Sequence, residues 1–122
     1  MSFEVVRETV DYTWVVARQL DRVAEAASRL DPSSTGSSFR IGLIRYAVAL
    51  RELYVLVAPL AEKHGIKLDF GGSFDSTYKC LLRGGCRLAS AWQLLDAIQA
   101  RLIEALYLMG MLVRVSRLAV EE

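Results

Sequence analysis

The chain has 122 residues, 53% of them hydrophobic and 24% charged, which places it with globular proteins rather than disordered ones. Fifteen Lys and Arg against fourteen Asp and Glu leave a formal charge of +1, which argues against a DNA-coating protein of the strongly basic kind. No uncharged apolar run approaches the roughly 18 residues of a membrane span, because Arg51 with Glu52, and Glu104 with Arg114, bracket the two longest candidates.

Met1 to Arg7 carries an acid early and lacks the basic-then-apolar pattern of a secretory leader, which predicts a cytoplasmic protein with no membrane span. A chain of this length buries about two thirds of its unfolded surface and is expected to form a single domain, 1–122. There is no asparagine, and glutamine occurs only at Gln19, Gln93 and Gln99. Scarcity of thermolabile amides hints at a thermophile, although so few lysines do not match that signature.

The first helix is expected from about Phe3 to Leu30. Val6, Val10, Trp14, Ala17, Leu20, Ala24, Ala27 and Leu30 recur at steps of three and four and define one face. Asp31-Pro32 ends it, since the residue before proline is pushed out of the helical region. Ser33 to Ser38 reads as a loop in which Ser37 or Ser38 caps the next helix.

The second helix begins near Phe39, with Leu43, Ala47, Leu50, Tyr54, Val57 and Ala61 on one face and Ile41, Ile44, Val48 and Val55 on another. Pro59 predicts a kink or break, and His64-Gly65 a stop. Ile66 to Phe70 alternates apolar and polar, the pattern of a short extended segment with one buried side. Asp75 or Ser76 would cap a short helix through Leu82. The last helix is expected from Cys86 to Ala119, with Leu88, Trp92, Leu95, Ile98, Leu102, Leu106, Met109 and Val113 as its stripe. Gly110 inside it suggests a close helix crossing. The sum is an all-α bundle of four to five helices with one extended segment near 66–70.

Two stretches, Leu53 to Ala61 and Ala105 to Val113, contain no charged residue. A helix apolar on every face needs neighbours on several sides, so both are read as contact surfaces, with Tyr54, Leu56, Leu60, Tyr107, Leu108 and Met111 as interface candidates. Aromatic anchors carry much of the energy of such contacts.

No chemistry-bearing motif stands out, so no catalytic residue, cofactor or metal ligand is assigned and a non-enzymatic protein is expected. His64 is the single histidine and reads as a helix-terminal residue at the negative end of the dipole. RNA-cleaving helical bundles of the HEPN type use an Arg and a His with four to six residues between them, whereas Arg51 stands thirteen residues before His64. Cys80 and Cys86 lack CxxC spacing. They are read as two buried thiols or, if Gly84-Gly85 folds the segment back, as a disulfide.

Arg40, Arg45 and Arg51, with Lys79, Arg83 and Arg87, form two local basic clusters, and no acid lies between Asp75 and Asp96. On a continuous helix the second cluster would line one stripe and could follow a phosphate backbone. The leading expectation is therefore a helical assembly or protein-interaction module that forms a homo-oligomer or joins another protein. The alternative is a sequence-independent nucleic-acid-binding subunit of a ribonucleoprotein or virion.

Overall fold

The computed structural model describes residues 3–33 and 36–111, with side chains described within 13–33, 37–70 and 72–111. The chain is all-α. Helix α1 spans Phe3–Ser28, α2 Gly36–Lys63, α3 Gly71–Arg83 and α4 Leu88–Leu108, and no strand occurs among the described residues. None of these helices is long and apolar enough to cross a membrane.

Helix α2 is the hub. It packs against α1, α3 and α4, and α3 also meets α4, whereas α1 touches α2 alone among the described helices. Gln19 meets Ala49 and Leu30, just past α1, meets Gly42, so contacts that advance along the first segment recede along α2 and the two helices are antiparallel. Phe39 meets Trp92 edge-on with ring centroids 5.5 Å apart, and Tyr46 meets Asp96 further along. Both pairs advance in the same direction, so α2 and α4 run parallel.

The core follows from this arrangement. Leu43, Tyr46, Ala47, Leu50, Leu53 and Val57 of α2 are fully buried, together with Leu95, Leu102 and Leu106 of α4. Much of the uncharged stretch from Leu53 to Ala61 thus finds its neighbours within the same chain. Two residues at the α1–α2 seam are suited to close approach. A Cβ at Gly42 would lie 3.1 Å from Leu30 Cδ2, and Ala49 leaves its carbonyl open to Gln19 Nε2 at 2.9 Å.

On α1 the buried line differs from the expected stripe. Thr13, Val16, Gln19 and Val23 lie inside, whereas Trp14 is 36% exposed and Ala24 is exposed. Ala17 of the expected stripe is buried and Leu20, Ala27 and Leu30 pack against the core, so the buried face is widened on one side, where Gln19 satisfies its amide on a buried carbonyl. Val6 and Val10 lie outside the described side chains.

Helix ends also depart from expectation. Helix α2 starts at Gly36, ahead of Ser37 and Ser38, and continues through Pro59 without a break. It ends in a Schellman turn: Ile66 N–H bonds to Ala61 O at 2.8 Å, Gly65 N–H bonds to Glu62 O at 3.1 Å, and Gly65 takes a φ of 71°. Residues 66–70 have no regular secondary structure. Ile66, Leu68 and Phe70 pack against the core while Lys67 and Asp69 are exposed.

Helix α3 begins at Gly71, so Asp75 and Ser76 lie inside it rather than capping it. Phe70 precedes it without a side-chain cap. Apolar anchors set this start, for Phe70 packs on Tyr54 at 5.1 Å between centroids and Phe74 is buried.

Helix α4 stops at Leu108. Gly110 is no crossing among the described helices: its φ is 72°, no described residue lies within 4 Å of a Cβ built on it, and its N–H bonds to Tyr107 O at 2.9 Å. It terminates the helix in the left-handed conformation that favours glycine. Val113 lies outside the described residues.

Candidate functional site

Among the described residues, exposed large apolar side chains gather in two places, with Leu82 on α3 apart from both. The first is the outer side of the α1–α2 pair. On α2, Ile41, Arg45, Val48, Glu52 and Val55 recur at alternating steps of four and three, which makes one stripe. Ile41 is 51% exposed, Val48 38% and Val55 61%. On α1, Val15, Gln19, Arg22, Ala26 and Arg29 follow the same spacing. The two stripes border a trough.

One end of the trough is a groove of about 340 Å³ lined by Arg22, Arg29, Arg45 and Ile41, with Glu25 the only acid among the described residues of its wall. Glu25 is engaged by Arg29 at 2.6 Å. At its other end the trough opens toward α3, where a groove of about 530 Å³ lies between Gln19 of α1 and Tyr78 of α3 and is lined by Val48, Arg51, Glu52, Val55 and Leu56 of α2. Net positive charge is confined to the first end, whereas apolar side chains line both.

The second place is the C-terminal end of α4. Tyr107 is 65% exposed and Leu108 62% exposed, directly after buried Ala105 and Leu106. Met111 packs partly against the core. Of the remaining interface candidates, Tyr54 stacks on Phe70, Leu56 and Leu60 are half-buried, and Leu56 lines the apolar groove.

The basic residues are dispersed. The Arg40 guanidinium donates from Nε to Leu81 O at 2.7 Å and from Nη2 to Leu82 O at 2.9 Å. It therefore satisfies carbonyls that the end of α3 leaves without helical partners, and it faces the protein rather than an open surface. Arg45 and Arg51 lie on the trough.

Lys79 and Arg83 are exposed on α3, but the chain turns at Gly84 and Gly85, with φ of 81° and 94°. Arg87 precedes α4, so Lys79, Arg83 and Arg87 do not share one helical stripe. Arg87 instead borders a groove of about 330 Å³ with Ser76, Thr77 and Ser90, beside the cysteines. Cys80 and Cys86 have Cα atoms 5.7 Å apart and are joined as a disulfide. His64 is exposed, with Nδ1 3.1 Å from Leu60 O.

Among the described residues no three His, Cys, Asp or Glu side chains converge as a metal site would require. The most perturbed ionisable group is Tyr46. Its hydroxyl donates to Asp96 Oδ1 at 2.9 Å and also meets the side-chain amide of Gln99. Burial foremost, then the hydrogen bond to Asp96 and its negative charge, push the phenol well above its ordinary pKa. It is held protonated as a clasp between α2 and α4.

Sequence reasoning missed this clasp and Gln19. Asp96 and Gln99 are spaced three apart on α4, but nothing in one sequence pairs them with Tyr46, 50 residues away from Asp96. No family model, curated protein or solved structure matches this chain.

Proposed function

We propose that this protein is a non-enzymatic assembly module, a compact helical bundle organised on α2 that self-associates through the C-terminal end of α4. The observation that carries this reading is the adjacent exposure of Tyr107 and Leu108, at 65% and 62%. They lie in a run from Ala105 to Met111 that has no charged residue. Contiguous exposed apolar side chains mark association surfaces, and a tyrosine combines large contact area with a polar edge that tolerates water before docking. An uncharged patch also suits pairing with its own copy, because a two-fold axis sets apolar surface on apolar surface without opposing like charges.

The compartment we infer is the cytoplasm of a thermophile. Disulfides occur inside hyperthermophile cells although they are rare in other cytosols; the absence of asparagine agrees with such a source, whereas the scarcity of lysine does not.

Light scattering coupled to gel filtration tests the proposal. The wild-type chain should elute as a particle larger than its 13.6 kDa monomer. The double variant Tyr107→Glu/Leu108→Glu should return it to a monomer with unchanged far-UV circular dichroism, since both side chains are exposed. Wild-type protein that is already monomeric, or a variant that stays assembled, would contradict it.

A further inference from the structure

The trough between α1 and α2 has a chemistry that the α4 surface lacks, and it calls for a different occupant. At 1.5 Å per residue, the stripe from Ile41 to Val55 is about 21 Å long. Arg22, Arg29 and Arg45 stand at one end, with Glu25 already bound to Arg29. Val48, Val55, Leu56 and Tyr78 stand at the other, where Arg51 and Glu52 offset one another in charge. Gln19 lies at the waist, buried and tied to the Ala49 carbonyl, so it closes the floor rather than offering a free polar group.

Symmetry weighs against a second copy in this trough. A face-to-face two-fold must run either along the trough or across it. Along it, arginines oppose arginines. Across it, the arginines of one chain cover the valines of the other and would be desolvated without partners. A nucleic acid would use the arginine end but gain little from Val48, Val55 and Leu56. An extended acidic peptide would not fill two grooves set between helices.

We infer that the trough binds an amphipathic helix of another protein, about 14 residues long, with acidic residues in one half and aliphatic residues in the other. Lying in the seam, it would turn its carboxylates to Arg22 and Arg45 and its aliphatic side chains to Val48 and Val55. A helix seated in a groove between two others, anchored at steps of three and four, is an established recognition mode. Opposite charge at one end fixes its direction. This inference is independent of self-association through α4.

The test uses two fluorescein-labelled helical peptides on the monomeric Tyr107→Glu/Leu108→Glu chain, so that failure of self-association cannot be mistaken for failure here. One peptide carries glutamates in one half and leucines at three- and four-residue steps in the other. Its control replaces the glutamates with lysines. Fluorescence anisotropy should show saturable binding of the glutamate peptide alone. Arg22→Ala/Arg45→Ala and, separately, Val55→Asp should each weaken that binding at least about tenfold.

Absence of binding by the glutamate peptide would overturn the inference. So would equal binding of the lysine peptide, indifference to the arginine substitutions, or displacement of the peptide by a single-stranded oligonucleotide. Dissolution of the wild-type oligomer by Val55→Asp would assign the trough to a second copy instead.

Discussion

Tyr46 shows how one buried side chain sets a pH limit on this fold. In the unfolded chain a phenol ionises near pH 10, whereas in the folded protein burial and Asp96 hold the proton to higher pH. Below the unfolded value both states keep the proton, and the contribution to stability is intact. Above it only the unfolded state loses the proton, so stability falls as pH rises further. Urea unfolding midpoints should therefore decline above about pH 10. That decline should be smaller in Tyr46→Phe, which also loses about 1 kcal/mol at neutral pH with the hydroxyl's hydrogen bond. An unchanged alkaline profile in the variant would contradict this role.

Arg40 makes the complementary point, that an arginine in a basic cluster can be structural. Its two bonds to Leu81 and Leu82 carbonyls predict a loss of about 2 kcal/mol in Arg40→Ala, read from chemical denaturation. Arg40→Lys should recover only part of it, because an ammonium lacks the fork that reaches both carbonyls. A full rescue by lysine would show that charge alone matters.

At the scale of elements, the last helix was the most legible. Leu95, Ile98, Leu102 and Leu106 repeat at helical spacing with no polar intruder, and all four are buried. The first helix was less so. Its core line runs through Thr13 and Gln19, and hydropathy cannot foresee a glutamine that meets a carbonyl 30 residues away. Gly110 misled for a related reason: glycine within an apolar run can mark either a close crossing or a left-handed stop, and only the backbone angle separates them.

The turn between α3 and α4 is a further element whose behaviour can be checked. A disulfide closing so short a loop stabilises a fold by about 2 kcal/mol through the restricted unfolded chain. Reductant, or Cys80→Ser/Cys86→Ser, should lower the melting temperature and leave helix content at moderate temperature unchanged. A melting temperature insensitive to reductant would show that Gly84-Gly85 and Arg40 suffice to hold the turn.

At the scale of the whole molecule, the apolar surplus visible in the sequence has two destinations. Helix α2 spends most of its surplus on three neighbours within the chain, which the absence of charge from Leu53 to Ala61 could not distinguish from an external interface. Among the described residues the exposed remainder includes Ile41, Val48 and Val55 on α2, Tyr107 and Leu108 on α4, Trp14 and Val15 on α1, and Leu82 on α3. The exposed apolar side chains were therefore legible as a surplus but not as a location, since location depends on which faces α1, α3 and α4 cover. The basic residues were legible as local clusters, and their separation by the α3–α4 turn was not.

The most direct test of the central claim is sedimentation equilibrium of the wild-type chain at low and high salt, with absorbance followed at the protein and nucleic-acid maxima. Assembly through uncharged α4 ends predicts one oligomer, free of nucleic acid and with the same mass at both salts, because apolar association lacks the salt dependence of phosphate binding. A monomer at both salts would contradict the account. So would a nucleic-acid-bearing particle that falls apart as salt rises, which would return the arginines to the centre of the function.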